Sequence, residues 1–249
     1  MAKQLWDCRW FKCGYLEAQG ACGGIVILWD SRVWKGELVT KGTYSISYKF
    51  EAVQESFNRC LTRVYAPHTR VDKNDCWEEI LVAKGLMKGP WVSCGYFNTI
   101  KHIVEKRNCS RITNIMRDFS EWIEDMWLHD PHLNSGKFTW FKEINHYSMA
   151  RLDIFLFYND TEEAFKDIRQ RILPRANSDH TPISLDCGNW NHKKSYFKFE
   201  NWWLGVSGSK VWSRNSDTRQ LNEDEMMMRL RNLPKCRCEL ETKIKSIVA

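Results

Sequence analysis

The sequence lacks the features that mark membrane and secreted proteins. Residues 25–29 are hydrophobic throughout, but a membrane helix needs about 20 consecutive apolar residues. The first residues, Met1-Ala2-Lys3-Gln4, do not form an apolar signal segment. The sequence therefore predicts an intracellular protein with no membrane partner.

Motifs for nucleotide and zinc binding are also missing. No GxGxxG follows a predicted strand and no GxxxxGK[ST] occurs, which excludes the common phosphate-binding loops. The ten cysteines show no repeated CxxC spacing. The pairs Cys236/Cys238 and His129/His132 are too isolated for a zinc site. We therefore expect reduced thiols rather than disulfides or structural zinc.

The composition is that of an ordinary globular protein with a basic excess. The 249 residues are 43% hydrophobic and 27% charged, which suits one domain with a real core and an appendage. The net charge of +6 is not concentrated in one block, so it permits a polyanionic partner without requiring one. Most of the 13 tryptophans lie within apolar patterns, which favours core packing over stacking on nucleic-acid bases.

Hydrophobic periodicity predicts alternating strands and helices in a domain spanning residues 1–188. Alternation and short apolar runs predict strands, whereas spacings of three and four residues predict helices. Because several strands have antiparallel patterning, the sequence favours a mixed α/β (α+β) domain over a purely parallel sheet. The predicted strands are 25–29, 44–50, 61–65, 91–94, 138–140, 152–157 and 183–187, and the predicted helices are 72–87, 112–127 (with its apolar stripe in the core) and 162–170.

Residues 189–249 differ in character and form a second predicted region. An aromatic cluster at 196–204 is followed by a small, polar, flexible linker at 205–218 and a charged, partial helical arm at 223–249. Pro234 interrupts this arm, and its apolar residues are loosely spaced. The arm therefore needs a partner or a longer chain to bury its apolar face.

A short stretch near residue 180 concentrates side chains that suit phosphate or acyl chemistry. Asp179 and His180 precede the apolar strand at 183–187, and a carboxylate beside an imidazole can orient the ring and stabilise its charged form. The motif gains weight from Arg-Leu-Asp at 151–153 and Gly-Tyr-Phe-Asn at 95–98. The structural alternatives are a turn cap for Asp179, a loop contact for His180, an Arg151–Asp153 ion pair and a turn role for Asn98.

Four short strings follow one another along the chain: Tyr65-Ala66-Pro67, Gly95-Tyr96-Phe97-Asn98, Arg151-Leu152-Asp153 and Ser178-Asp179-His180. In these strings and their order the chain resembles the endonuclease/exonuclease/phosphatase superfamily, which has the DNase I-like fold. Three further strings, at 23–30, 136–140 and 197–204, resemble the endonuclease region of plant LINE-type (non-LTR) retrotransposons, and the likeness covers about residues 5–204. The resemblance implies a four-layer sandwich of two mixed β-sheets flanked by helices, with the site at one end of the sheets.

The resemblance also implies a reaction and a role for each site residue. The reaction is hydrolysis of a DNA phosphodiester bond with Mg²⁺ or Mn²⁺, a hard cation that takes oxygen ligands and neutralises the phosphate. His180 would act at the scissile phosphate, Asp153 would orient His180, and Asp179 would lie at the metal end of the site. Asn98 would hold the phosphate or the attacking water. Tyr65 would lie beside Asn98, although a packing role for Tyr65 is equally expected.

Two departures from the family pattern predict impaired catalysis. The family's aspartate in the Gly-Asp-Phe-Asn string is replaced by Tyr96, and a neutral phenol, with an ordinary pKa of about 10, cannot replace a carboxylate. The strand and the glutamate-bearing string with which the family begins have no counterpart near Leu5. We therefore expect the first strand to be missing, one sheet edge to be exposed and metal binding to be weakened.

Several functions follow from this mixture of matches and departures. The first is a degenerate retrotransposon-type endonuclease without useful catalysis, the second is residual metal-dependent nicking, and the third is DNA binding without cleavage. A phosphatase of the same superfamily is a further alternative that the string at 197–204 disfavours. The resemblance implies DNA as a partner, a reverse transcriptase domain in the parent element and a nuclear location. The sequence leaves enzyme activity and oligomeric state open.

Overall fold

A computed structural model describes residues 9–18, 23–54, 57–142, 148–165, 167–175 and 178–187. The predicted aromatic cluster, linker and helical arm at 189–249 lie outside the described residues. The division into a domain at 1–188 and a second region therefore stays a prediction.

Twelve strands, three α-helices and one short 3₁₀ helix form within these ranges. The helices are α1 (Arg70–Gly85), α2 (Asn114–Asp125) and α3 (Asn159–Ala164), and the 3₁₀ helix spans Ile103–Glu105. The strands are β1 (Phe11–Leu16), β2 (Ile25–Asp30), β3 (Trp34–Lys41), β4 (Ser45–Ala52), β5 (Asn58–Tyr65), β6 (Trp91–Tyr96), β7 (Leu133–Asn134), β8 (Trp140–Lys142), β9 (Ser148–Ala150), β10 (Asp153–Phe157), β11 (Arg169–Ile172) and β12 (Ile183–Asp186).

A five-stranded mixed sheet with the strand order β10-β6-β5-β4-β3 is the largest sheet among these elements. Strands β5 and β6 run parallel, and the other neighbours are antiparallel. A smaller mixed sheet has the order β12-β11-β7, and β1–β2 and β8–β9 form antiparallel pairs. The prediction of mixed sheets is confirmed.

Helices α1 and α2 cover one face of the five-stranded sheet. Trp77 of α1 and Phe119 of α2 stack with their ring centroids 5.6 Å apart, and both lie in a buried cluster with Val64 and Leu156 of the sheet. This packing explains why the apolar stripes of both predicted helices become core. No helix in the described ranges is both long and apolar enough to cross a membrane.

The opposite face of the five-stranded sheet packs against other strands. Neighbouring residues of a strand point to opposite faces, so Phe155 lies on the face away from Leu156 and the helices. Phe155 shares a buried cluster with Leu133 and Ile183 of the smaller sheet. Nearer β3, the same face contacts the β1–β2 pair through a second cluster, composed of Ile25, Ile27, Trp34, Ile46, Tyr48 and Phe50.

The helices and sheets therefore form an α/β sandwich, as predicted. The described residues supply three of its layers, and α3 lies at the start of β6, where Thr161 Oγ1 accepts from the Trp91 amide at 3.0 Å. The expected absence of a first strand stays a prediction.

Local details differ from the sequence predictions. The predicted helix at 162–170 is wrong in its second half, because Gln170 is completely buried in β11, which pairs with β12. Strand β3 was not predicted. Ile112 and Trp127 are 63% and 77% exposed and lie beyond the ends of α2, not in the core.

Candidate active site

Three of the predicted site residues form a row across the ends of adjacent strands. In the sheet register, Tyr65 of β5 pairs with Tyr96 of β6, and Tyr96 pairs with Asp153 of β10. Because paired residues point to the same face, these three side chains share the face that is turned away from the helices. The row lies at one end of the sandwich, where the resemblance implied a site.

The backbone after β6 brings Asn98 to the same end. Gly95 has φ +145°, and a side chain there would collide with the Val64 carbonyl of β5, so only glycine fits this close approach. Phe97 is completely buried, with its ring 5.7 Å from that of Phe119. Asn98 then turns the chain with φ +53°, in the left-handed region that asparagine tolerates.

His180 and Asp153 form the most buried pair of the site. His180 Nδ1 lies 2.8 Å from Asp153 Oδ2, and the two side chains are 19% and 0% exposed. The Asp153 backbone is held by Thr139, whose Oγ1 accepts from the Leu152 and Asp153 amides at 2.9 and 3.0 Å. Nδ1 of His180 is thereby fixed toward the carboxylate, so Nε2 is the nitrogen left for chemistry.

The carboxylate raises the pKa of His180. Burial of the ring opposes the charged form, but the hydrogen bond and the negative charge of Asp153, together with the charge of Asp179, outweigh burial and raise the pKa of His180 above its ordinary value of 6.5. A larger share of His180 is therefore positively charged near neutral pH, which favours an anionic ligand.

Asp179 lies on the solvent side of His180. Its Oδ2 accepts from Trp140 Nε1 at 3.0 Å, and its carbonyl accepts from the Phe141 amide at 2.8 Å. The Asp179 side chain is exposed. The indole fixes one carboxylate oxygen, which leaves the other toward solvent.

Tyr96 occupies the middle of the network. Its ring centroid lies 5.2 Å from that of Tyr65, and the His180 ring meets it edge-on at 5.1 Å. The Tyr96 hydroxyl donates to Asn98 Oδ1 at 2.7 Å. Tyr65, Tyr96, Asn98, His180 and Asp153 therefore form one continuous set of contacts, with Asp179 at its border.

Both hydrogens of the Asn98 amide nitrogen are already used in hydrogen bonds. Its Nδ2 donates to the Pro67 carbonyl at 3.0 Å and to His68 Nδ1 at 2.8 Å, while Oδ1 accepts from Tyr96. Because an amide nitrogen can only donate, His68 Nδ1 is the acceptor and neutral His68 carries its hydrogen on Nε2. A phosphate can receive a hydrogen from Asn98 only after the exposed His68 moves away.

Arg151 and Asp153 do not form the ion pair that was one structural alternative for this motif. Arg151 does not bind Asp153 through its side chain; it donates to Glu105 Oε1 at 2.8 Å and to Asp130 Oδ2 at 2.9 Å. All three side chains are about one-tenth exposed. Arg151 thus connects the loop that follows Asn98 to the segment that precedes β7.

Sequence reasoning missed four residues that support the site: His68, Lys73, Thr139 and Trp140. Lys73 is on α1, and its Nζ donates to the Phe97 and Asn98 carbonyls at 3.2 and 2.8 Å. Thr139 and Trp140 lie within the string at 136–140 that carried part of the resemblance, so that string was the available signal. Nothing in the sequence pattern pointed to His68 or Lys73.

The side chains present do not make a complete site for a divalent cation. In the part of the chain that the structure describes, no three His, Cys, Asp or Glu side chains lie close enough to hold a metal ion. Asp179 offers one free oxygen, Asn98 Oδ1 is taken by Tyr96, and Asp153 Oδ1 is fully buried without a hydrogen-bond partner. Mg²⁺ requires a nearly octahedral set of oxygens, which these residues do not provide.

Comparisons with known proteins identify the fold. No family model and no curated protein sequence matches the chain. The endonuclease domain of TRAS1, a telomere-specific non-LTR retrotransposon, matches with 13% identity over 74% of this chain and 82% of its own, at a TM-score of 0.56. A mannosyl-6-phosphatase of Bacteroides thetaiotaomicron matches at 14% identity over 73% of this chain and 78% of its own, with a TM-score of 0.49.

An endonuclease/exonuclease/phosphatase family protein of the same bacterium has 13% identity, a coverage of 70% of this chain and 73% of its own, and a TM-score of 0.48. At identities this low, a match shows a shared fold and nothing more. The fold assignment rests on the match to the retrotransposon endonuclease domain, whose TM-score is 0.56. The chain has a DNase I-like fold, which it shares with the endonuclease domain of a non-LTR retrotransposon.

Proposed function

We propose that this chain is a retrotransposon-type endonuclease domain that binds the phosphate backbone of DNA but has lost most of its catalysis. The observation that carries the proposal is the position of Tyr96, whose phenol contacts both Asn98 and His180. The resemblance implies an aspartate at this position. A neutral, bulky side chain therefore stands where a carboxylate would hold the attacking water or a metal ion.

The His180–Asp153 pair supports the phosphate-binding half of the proposal. Asp153 is completely buried, holds Nδ1 of His180 and raises the pKa of the ring. In its charged form His180 donates a hydrogen from Nε2, which suits a phosphate oxygen. In its neutral form Nε2 can accept a proton.

Basic side chains around the site support DNA as the ligand. Lys142 and Arg175 are exposed, and Arg175 lies over the Phe141 ring with its guanidinium carbon 5.0 Å from the centroid. Phe141 is hydrogen-bonded to Asp179, next to His180. These charges can contact phosphates flanking the one at His180, in a manner that does not depend on base sequence.

A divalent cation would neutralise the phosphate and stabilise the leaving oxygen. Asp179 is the residue that the resemblance implies at the metal end, but the described residues fall short of a complete Mg²⁺ site. The same shortfall supports the proposal that catalysis is impaired.

The proposal is tested by measuring DNA affinity and DNA cleavage on the same protein. Fluorescence anisotropy with a labelled duplex, titrated over a range of salt concentrations, is expected to show binding that weakens linearly on a log–log plot, as counterion release requires. Plasmid nicking in Mg²⁺ or Mn²⁺ is expected to stay near background.

The matched control is His129→Ala, because His129 is exposed at the other end of β10, where its backbone pairs with Phe157. His180→Ala is expected to weaken DNA binding about tenfold, and His129→Ala is expected to leave it unchanged. Affinity that does not respond to salt would contradict DNA binding. Strong nicking by the wild type that is abolished in His180→Ala but kept in His129→Ala would contradict the proposed loss of catalysis.

A further inference from the structure

The first turn of α1 contains a lysine that the proposed reaction does not use. Lys73 is 1% exposed, and its Nζ donates to two consecutive backbone carbonyls, those of Phe97 and Asn98. Within the described ranges Lys73 forms no ion pair with a carboxylate. A buried, unpaired ammonium group is rare in folded proteins.

This position is unfavourable for a positive charge. Burial lowers the pKa of Lys73 to about 8, and the N-terminal turn of a helix carries the positive end of its dipole. Burying this charge costs free energy, and the two carbonyl acceptors offset part of that cost. The contacts that Lys73 makes in return are therefore concentrated on one short segment, Phe97–Asn98.

The two carbonyls that Lys73 binds belong to the turn that directs Asn98 into the candidate site. Asn98 has a left-handed backbone, φ +53°, and its amide contacts Tyr96, Pro67 and His68. The Phe97 carbonyl precedes the Asn98 Cα and the Asn98 carbonyl follows it. Because the ammonium group of Lys73 holds both carbonyls, it fixes the direction in which the Asn98 side chain points. It also places a positive charge behind the loop on the side away from solvent.

We propose that Lys73 is a positioning residue for the site, and that it holds the Asn98 turn so that the Asn98 amide can donate to a phosphate that displaces His68. The identity of the ligand, a DNA phosphate, rests on the proposed function. The effect of Lys73 on the position of the Asn98 amide does not. In this role Lys73 differs from the exposed residues Lys142 and Arg175, which would contact DNA directly.

The test compares Lys73→Met with Lys84→Met, a matched change at a lysine in the last turn of the same helix. The first readout is the side-chain amide resonance of Asn98 in ¹⁵N-labelled protein without DNA, assigned by its absence in Asn98→Asp. We expect this resonance to move in Lys73→Met and to stay in place in Lys84→Met.

The second readout is the affinity for a labelled DNA duplex, which we expect to fall about tenfold in Lys73→Met, as loss of a charge-assisted hydrogen bond implies. The third is the free energy of unfolding, which we expect to fall only slightly, because Lys73→Met relieves a buried charge but leaves two carbonyls without their donor. A purely structural role predicts a loss of stability with the Asn98 resonance in its wild-type position, and that result would overturn the proposal.

The outcomes separate this inference from the proposed function. If the wild-type protein does not bind DNA, the proposed function fails, and the Asn98 resonance still decides the role of Lys73. If DNA binds and the resonance is unmoved, the proposed function stands and the role of Lys73 fails. Should Lys73→Met not fold, the resonance is measured in Lys73→Gln, which is neutral but keeps a donor, with the same expectation and the same contradicting result.

Discussion

Replacing Tyr96 with aspartate is expected to lower the stability of the domain and to raise its activity. The tyrosine ring contacts Tyr65 at 5.2 Å and His180 at 5.1 Å, and its hydroxyl donates to Asn98. Each aromatic contact contributes about 0.5–1.5 kcal/mol, and the hydrogen bond contributes about 0.5–1.5 kcal/mol. Loss of all three is expected to reduce the free energy of unfolding by roughly 2–4 kcal/mol.

The gain in activity has a different magnitude and needs its own control. A positioned carboxylate acting as a general base typically contributes about 10²–10⁴-fold to a rate, so Tyr96→Asp is expected to nick plasmid DNA at least about 100-fold faster than the wild type. Tyr96→Asn removes the same ring contacts without adding a charge, and we expect it to lose similar stability with no gain in nicking.

The assay is a time course of nicking in Mg²⁺ at fixed protein concentration, with urea denaturation of the same samples. Equal rates for Tyr96→Asp and Tyr96→Asn would show that a carboxylate at position 96 does not act as a general base. A wild-type rate as high as that of Tyr96→Asp would show that the phenol of Tyr96 does not impair catalysis.

Two further predictions concern stability. The raised pKa of His180 means that its charged form is favoured in the folded state; this stabilisation is complete below the ordinary pKa of 6.5 and is lost as the pH rises through the higher folded pKa. The difference in unfolding free energy between the wild type and His180→Gln is therefore expected to shrink from pH 6 to pH 8 in urea titrations, and a constant difference would contradict the pairing with Asp153. Arg151→Met leaves two nearly buried carboxylates without their partner and is expected to cost about 3–5 kcal/mol. The control Arg70→Met breaks a pair in which the arginine is exposed and is expected to change stability little; equal losses in the two variants would show that the Arg151 cluster contributes no more than a surface pair.

The core elements could be predicted because their apolar spacing is regular. Trp77 and Ile80 in α1, and Phe119 and Ile123 in α2, are spaced at helical intervals and are buried. The run 153–157 forms a buried strand. Strand β3 was missed because it is an edge strand with a register shift between Leu38 and Thr40, which disrupts the alternation that marks a strand. The helix predicted to reach Gln170 was wrong because pairing with β12 outweighs local propensity there.

The site could be predicted as a set of residues but not as a geometry. Asp153, His180 and Asn98 stand in strings that carry the family resemblance. Their contacts depend on the register of three strands, and no local pattern reports that Tyr96 and Asn98 would share a hydrogen bond. Lys73 was overlooked because a lysine in an amphipathic helix is normally expected on its solvent face.

In the proposed function, Tyr96 leaves a site that binds phosphate but cuts poorly. The most direct test is nicking of supercoiled plasmid by the wild-type protein in Mg²⁺ and in Mn²⁺, beside a His180→Ala variant shown by circular dichroism to be folded. We expect the two proteins to nick at the same background rate, while only the wild type keeps full DNA affinity. Nicking by the wild type that disappears in His180→Ala would contradict the proposed function, because the remaining residues would then form a working catalytic site despite Tyr96.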